Sequence, residues 1–153
     1  MKVKQTIAFI GEAGKICGGL VEKLAAAGNP VLLIGQADKL SGQGAQQILK
    51  QIPNADIEEI DCAREGCWEA DVIVFCGAAS VETAVSEKIK EVANQKIMVY
   101  VSDQELDETE KIGELKKSFP HSEWVQLHFD SATTEMHISG PPEARATIEN
   151  MLA

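Results

Sequence analysis

The chain predicts an α/β fold: a doubly wound, mostly parallel sheet in strand order 3-2-1-4-5-6-7, with the last strand antiparallel. Three observations predict it. Short apolar runs alternate with segments whose apolar residues recur every three or four positions. The run Val72–Cys76 (VIVFC) is apolar throughout, as strands covered by helices on both faces are. Only about five polar or small residues separate the last two strands, too few for a helical crossover.

The elements follow in order. Thr6–Ile10 (TIAFI) is a short apolar strand closed by Gly11. From Gly14 the period changes, and Ile16, Leu20, Leu24 and Ala27 fall on one face of a helix. Gly28 and Asn29 stop that helix, and Pro30 leads into the strand Val31–Ile34. Ser41 caps a weaker helix running to about Ile52, with Gly42 and Gly44 in its first turn. Ile57–Ile60 is the third strand, and a short segment around Trp68 leads to the fourth, Val72–Cys76. Ser80 caps a helix through Val81, Val85, Ile89 and Val92. Ile97–Val101 is the fifth strand; the next helix carries Ile112, Leu115 and Phe119 and ends at Pro120. Trp124–Phe129 and Glu135–Ser139 form the closing hairpin. Pro141 and Pro142 open a final helix with Ala144, Ile148 and Leu152 inward. Neither a repeat nor a linker interrupts residues 1–153, so one domain is expected.

Right-handed strand–helix–strand units place a ligand crevice beyond the carboxyl ends of strands 1 and 4, where the strand order reverses. Those ends are Gly11–Cys17 and Cys76–Ser80. The first reads Gly11-Glu12-Ala13-Gly14-Lys15-Ile16-Cys17-Gly18-Gly19. Glycines after a first apolar strand and before a helix let the backbone approach a pyrophosphate held at the helix amino terminus, as in Rossmann domains. The plainer reading is a tight turn whose glycines serve only helix–strand packing. In the G-x-G-x-x-G register Gly14 is in place, while Glu12 and Cys17 stand at the outer positions. Glu12 brings negative charge toward a phosphate, and Lys15 offsets it.

The end of strand 2 selects the nicotinamide cofactor: an acid there binds the ribose of NAD, while Arg or Ser reads the phosphate of NADP. Gly35-Gln36-Ala37-Asp38-Lys39 does neither. Gln36 has the chemistry to hydrogen-bond a ribose and Lys39 to meet a phosphate, whereas Asp38 reads as a solvated turn residue. NAD or NADP stays open.

Composition bounds the rest. Of 153 residues, 44% are hydrophobic and 25% charged, ordinary globular values. Twenty-four acids against fourteen Lys plus Arg give a formal charge of −10 without a basic stripe, which argues against nucleic acid. The absence of an apolar run of about 18 residues argues against a membrane span, and without a cleavable leader pattern the expected location is cytoplasmic. Cys17, Cys62, Cys67 and Cys76 contain no C-x-x-C, and His121, His128 and His137 no helical H-x-x-x-H. Buried thiols and strand histidines are expected, and no metal site.

The segments IAFIGEAGKICGGLVEKLAAAGNPVLLIG, EADVIVFCGAASVETAVSEKI, QKIMVYVSD and MHISGPPEARATIENML together resemble the deazaflavin-dependent NADP oxidoreductase family, in the group with the amino-terminal domains of 6-phosphogluconate dehydrogenase and pyrroline-carboxylate reductase. The resemblance implies a cofactor pyrophosphate at Ala13, Gly14, Lys15 and Ile16, flanked by Gly11 and Glu12. It implies an adenosine ribose near Gln36 and Ala37 and a nicotinamide side near Cys76, Gly77 and Ala78. Three departures stand in the letters. The family's Thr-Gly-Asn-Leu-Gly type loop is Ala13-Gly14-Lys15-Ile16-Cys17, its Ser-Arg pair is Gln36-Ala37, and its proline after strand 4 is Ala78.

Rival chemistries lack their residues. The Tyr-x-x-x-Lys of short-chain dehydrogenases fails because Gln104 follows Tyr100; Gly14-Lys15 leads into Ile16 rather than the Ser or Thr of a P-loop; and no Gly-x-Ser-x-Gly occurs. Two function classes remain. One is an oxidoreductase passing a hydride between NADP(H) or NAD(H) and a deazaflavin, flavin-type or small acceptor, which needs few acid–base residues. The other is a non-catalytic Rossmann-like nucleotide-binding or scaffold domain, suggested by Glu12 and Gln36-Ala37. No catalytic residue is identified. In a sheet domain without a lid, a second copy would cover a nicotinamide. The closing hairpin and the final helix, with Met151 and Leu152, either form that homodimer contact or close the domain's own core.

Overall fold

The computed structural model describes residues 5–10, 15–34, 49–60, 63–76, 96–102, 122–130 and 135–152, with single positions at 113, 117 and 119. The elements are β1 (Ile7–Ile10), α1 (Lys15–Ala26), β2 (Val31–Ile34), β3 (Ile57–Ile60), α2 (Ala63–Glu69), β4 (Val72–Cys76), β5 (Ile97–Ser102), β6 (Glu123–Asp130), β7 (Glu135–Ser139) and α3 (Pro142–Leu152). The seven strands form one sheet in the order β3-β2-β1-β4-β5-β6-β7. All neighbours are parallel except β6 and β7. Strand order and the antiparallel ending are those the sequence predicts.

The inner strands β1, β2, β4 and β5 are apolar at almost every position because both faces are covered. Alternate residues face opposite layers. Ile7, Phe9, Val31, Leu33, Val72, Val74, Val99 and Val101 pack with α1 and α3 on one face. Ala8, Ile10, Leu32, Ile34, Ile73, Phe75, Met98 and Tyr100 pack with Cys67, Ala70, Phe119 and Trp124 on the other. Phe75 stacks on Trp124 with ring centroids 5.9 Å apart, and Phe119 tilts against both. Each such side chain, fully buried, is worth about 1.5–3 kcal/mol.

Two helix faces differ from the sequence expectation. Among the described side chains of α1 the buried ones are Leu20, Val21, Leu24 and Ala25, and Ala27 is exposed; the side chain of Ile16 falls outside them. Ala27 lies past the helix, where Gly28 at φ 93° ends α1 and turns the chain back toward β2. In α3 the inward residues are Ala144, Ile148 and Met151, with Leu152 only partly buried against the same core. Of the two readings of this helix, it closes the chain's own core. The segment around Trp68 is the helix α2, which leaves the Trp68 ring 70% exposed.

Local chemistry fixes the helix ends. At the end of α1, Gly28 N donates to Ala25 O at 3.0 Å and Asn29 N to Leu24 O at 3.2 Å, a Schellman closure. At the end of α2, the Lys96 ammonium donates to the carbonyls of Cys67, Trp68 (2.8 Å) and Ala70, replacing partners a helix terminus otherwise lacks. Gly66 lets α2 lie close to the sheet: a Cβ there would meet Ile34 Cδ1 at 2.6 Å.

Most of the helix predicted from Ser41 to Ile52 lies outside the described residues, and only its end, 49–51, is seen as helix. The helix Ser80–Val92 lies wholly outside them. Of the helix before Pro120, positions 113 and 117 are helical and Phe119 is buried, whereas Ile112, Leu115 and Pro120 fall outside. Among the described residues no helix is long and apolar enough to cross a membrane.

Candidate functional site

The strand order reverses at β1, which pairs with β2 on one side and β4 on the other. Register aligns Ile10 with Ile34 and with Phe75. The chain therefore leaves three neighbouring strands at nearly one level, after Ile10, Ile34 and Cys76. This is the topological switch point at which open α/β sheets bind ligands.

The helix α1 starts at Lys15, with four residues between it and the end of β1 at Ile10. Its return to the parallel β2 sets its amino end over the carboxyl rim of the sheet. The first backbone N–H groups of a helix have no intrahelical acceptor and carry about half a positive charge together. Lys15 stands in that first turn, and no acid does. Gly18 and Gly19 each cost a helix up to about 1 kcal/mol relative to Ala. Packing of Leu20, Val21, Leu24 and Ala25 in the core, rather than propensity, holds α1 in place. The amino end of α1, with Lys15 as its first residue, therefore stands at the crevice, and its free N–H groups are of the kind that suit an anion.

Of the site residues expected from sequence, Lys15 and Ile16 are the first two residues of α1 and Cys76 is the last of β4. The fold brings those two ends to one rim on adjacent strands β1 and β4. Gly11, Glu12, Ala13, Gly14, Gln36, Ala37, Lys39, Gly77 and Ala78 lie outside the described residues, as does Asp38. Tyr100 is a fully buried residue of β5.

Among the described residues, the resolved electrostatic perturbations lie at the opposite, amino-terminal rim. Burial pushes the Cys67 thiol up to about 12, against the opposing pull of Lys96. Burial likewise lowers Lys96 from its ordinary value, and Cys67 and Asp71 oppose that shift. Asp71 Oδ2 accepts from Thr6 N at 3.0 Å, tying the entrance of β1 to that of β4. No sequence signal marks Lys96: a lone lysine before a strand is ordinary, and only the packing of α2 across β1, β2 and β3 brings the carbonyls at its end within reach of Lys96. Cys67 is the buried thiol the sequence leads one to expect. Among the described residues no three His, Cys, Asp or Glu side chains are placed to hold a metal.

No protein-family model matches the chain, and no curated protein matches it significantly. Solved structures do. A protein from an Arthrobacter species, assigned as an F-420-dependent NADP reductase, superposes with a TM-score of 0.72 at 18% identity, over 97% of this chain and 79% of its own. Pyrroline carboxylate reductase of Plasmodium falciparum with NADP bound gives 0.67 at 13% identity, over 99% of this chain and 55% of its own. Imine reductase from a Pseudomonas species gives 0.63 at 16% identity, over 98% and 52%. The chain thus spans about half the length of the last two. At such identities the likeness is one of fold, and the chain has the mostly parallel Rossmann-type fold that these reductases share.

Proposed function

We propose that the protein binds a nicotinamide dinucleotide at the β1–α1 turn and acts as an oxidoreductase toward a deazaflavin, flavin-type or small acceptor. The carrying observation is the cationic amino end of α1, with Lys15 and no acid in its first turn, at the switch point between β1 and β4. Resemblance to NADP-linked reductases in fold supports the same reading.

The residues fit such a cofactor. Free N–H groups at the start of α1 and the Lys15 charge suit a pyrophosphate. Gln36, Ala37 and Lys39 would lie toward the adenosine ribose, and Cys76, Gly77 and Ala78 toward the nicotinamide. When bound, the nicotinamide supplies the hydride. The chain's own contribution is to bind the pyrophosphate, orient the ring against the end of β4 and keep water from it. NAD and NADP are both compatible with a strand-2 corner that carries neither a ribose-binding acid nor an arginine. A second copy of the chain is the proposed cover for the ring, and light scattering at micromolar concentration reads it directly.

Calorimetric titration of the purified protein with NADPH and NADH tests the reading. Binding of one of them, followed by oxidation with a deazaflavin or flavin acceptor, is the expected result. No binding of either at millimolar concentration would sink it. Binding without turnover on any deazaflavin, flavin or quinone would leave a nucleotide-binding domain without hydride transfer.

A further inference from the structure

The sheet ends on two strands, β3 and β7, each with a neighbouring strand on one side only. The outer edge of such a strand presents a row of backbone N–H and C=O groups that can add another strand. Proteins blunt these edges with charge, proline or a bulge, and the two edges here differ in that respect. β3 reads Ile57-Glu58-Glu59-Ile60, with both acids exposed. β7 reads Glu135-Met136-His137-Ile138-Ser139 and pairs with β6 rung by rung, without a bulge. Its one acid stands at its start, and it holds neither lysine nor proline. His137, Ser139 and Gly140 are exposed, so the carboxyl half of the strand is accessible.

Charge decides which edge can accept a second copy of itself. Identical strands join antiparallel about a twofold axis, each residue meeting its counterpart across the axis. With the axis at His137, all 5 residues of β7 find a place in the pairing. Glu135 then stands opposite the partner's Ser139, Met136 opposite the partner's Ile138, and His137 opposite the partner's His137. No two acids are opposed. The two Glu135 positions flank the axis about 13 Å apart along the ribbon, beyond the screening length of roughly 8 Å in physiological salt. The same operation about the middle of β3 sets Glu58 opposite the partner's Glu59, and like charges directly opposed are destabilising. Moving that axis onto Glu58 or Glu59 opposes the acid to its own copy. The axis at β7 runs normal to the sheet. Ile138 packs against the core cluster that holds Ala144, Ile148 and Met151 of α3, so the α3 helices of both copies would lie on one face of the joined sheet.

We propose that the outer edge of β7 is a self-association surface, where a second copy of the chain adds its own β7 antiparallel about a twofold at His137. Pairing β7 with β3 of a neighbour instead would leave one edge of each kind open and extend without closure. The contact stands three strands from β4, away from the dinucleotide crevice, and needs no nucleotide. It goes beyond the dinucleotide reading, and either can fail without the other.

Sedimentation equilibrium of the full chain without nucleotide, from micromolar to near-millimolar concentration, tests it. The expected result is a monomer–dimer equilibrium. His137→Glu sets two carboxylates opposite each other, and His137→Lys two ammonium groups, so each should weaken the dimer roughly tenfold or more. An equimolar mixture of these two variants should recover the dimer, because opposite charges then meet across the axis. A merely structural effect of either substitution would not be rescued in this way. Ser139→Lys, facing the partner's Glu135, should tighten the dimer, and Glu58→Lys at the other edge should leave it unchanged. Circular dichroism checks that each variant is folded, and the exposure of His137 favours that outcome. A monomer throughout the range, open-ended polymers in place of dimers, an unchanged dimer in folded His137→Glu, or a mixture that stays monomeric would each overturn the proposal.

Discussion

Asn29 Nδ2 donates to the Leu24 carbonyl at 3.0 Å, so a buried side chain reinforces the backbone closure of α1. The same carboxamide accepts from Gln5 N through Oδ1 at 3.1 Å. One 4%-exposed residue thus ties the end of α1 to the entrance of β1, just before Pro30 O receives Ile7 N at 2.9 Å. Since α1 carries the proposed phosphate-binding terminus at its other end, this joint sets how firmly the helix is held.

Asn29→Ala should destabilise the protein by about 2 kcal/mol. It removes two hydrogen bonds and leaves Gln5 N without this acceptor, at roughly 1 kcal/mol for each. Urea unfolding followed by circular dichroism measures the loss. A change below about 0.5 kcal/mol would mean that water replaces the carboxamide without cost.

Two glycines should respond differently to alanine. Gly140 has φ 150°, and a Cβ there would lie 2.7 Å from Trp124 O and 3.1 Å from Val125 Cα. Both are backbone atoms of β6 that cannot step aside, so Gly140→Ala should cost about 3 kcal/mol or more. At Gly66 the nearest obstacle is the tip of Ile34. Turning that side chain costs about 0.5–1.5 kcal/mol, and alanine returns up to about 1 kcal/mol of helix propensity. Gly66→Ala should stay within about 1 kcal/mol of the parent. Thermal melts of the two variants side by side test the ordering, which a loss at Gly66 as large as at Gly140 would reverse.

Cys67 gives a pH signature. Its folded value, about 12, exceeds the ordinary 9.0, so the folded state holds a proton that the unfolded chain releases. This contribution is complete below pH 9 and is lost as pH rises toward 12. Lys96 works the other way, because a lowered ammonium value makes its contribution grow as pH rises toward 10.5. Comparing the parent with Cys67→Ala isolates the thiol. The parent's stability relative to the variant should be constant at pH 7–8 and fall by up to about 1 kcal/mol per pH unit above 9. A flat difference from pH 8 to 10 would show that the thiolate is tolerated where it lies.

Glu12→Gly should tighten NADPH or NADH binding by about 1 kcal/mol, roughly fivefold, if the Glu12 charge opposes a pyrophosphate at the start of α1. Calorimetry at two salt concentrations checks it, because a charge effect shrinks as salt rises. Equal affinity in parent and variant would place that carboxylate away from the phosphates.

Sequence by itself determined the layers and the strand order. Apolar runs such as Ile7–Ile10 and Val72–Cys76 need cover on both faces, helical periods between them supply it, and the short step from β6 to β7 forces the one antiparallel pair. The switch point at β1 and β4, and with it the place of Lys15, follows from that order. Tertiary structure decided what periodicity leaves degenerate. Ala27 turns out because the Gly28–Asn29 hydrogen bonds close α1 before it, and packing of α3 buries Met151 more deeply than its neighbour Leu152 on the same face. Lys96 meets α2 only through packing between elements distant in sequence. His128 and His137, nine positions apart, match no helical ligand spacing; hairpin register makes them direct neighbours. Local patterns encode which face of an element is apolar, whereas contacts across elements depend on register and approach, which exist only once the sheet has formed.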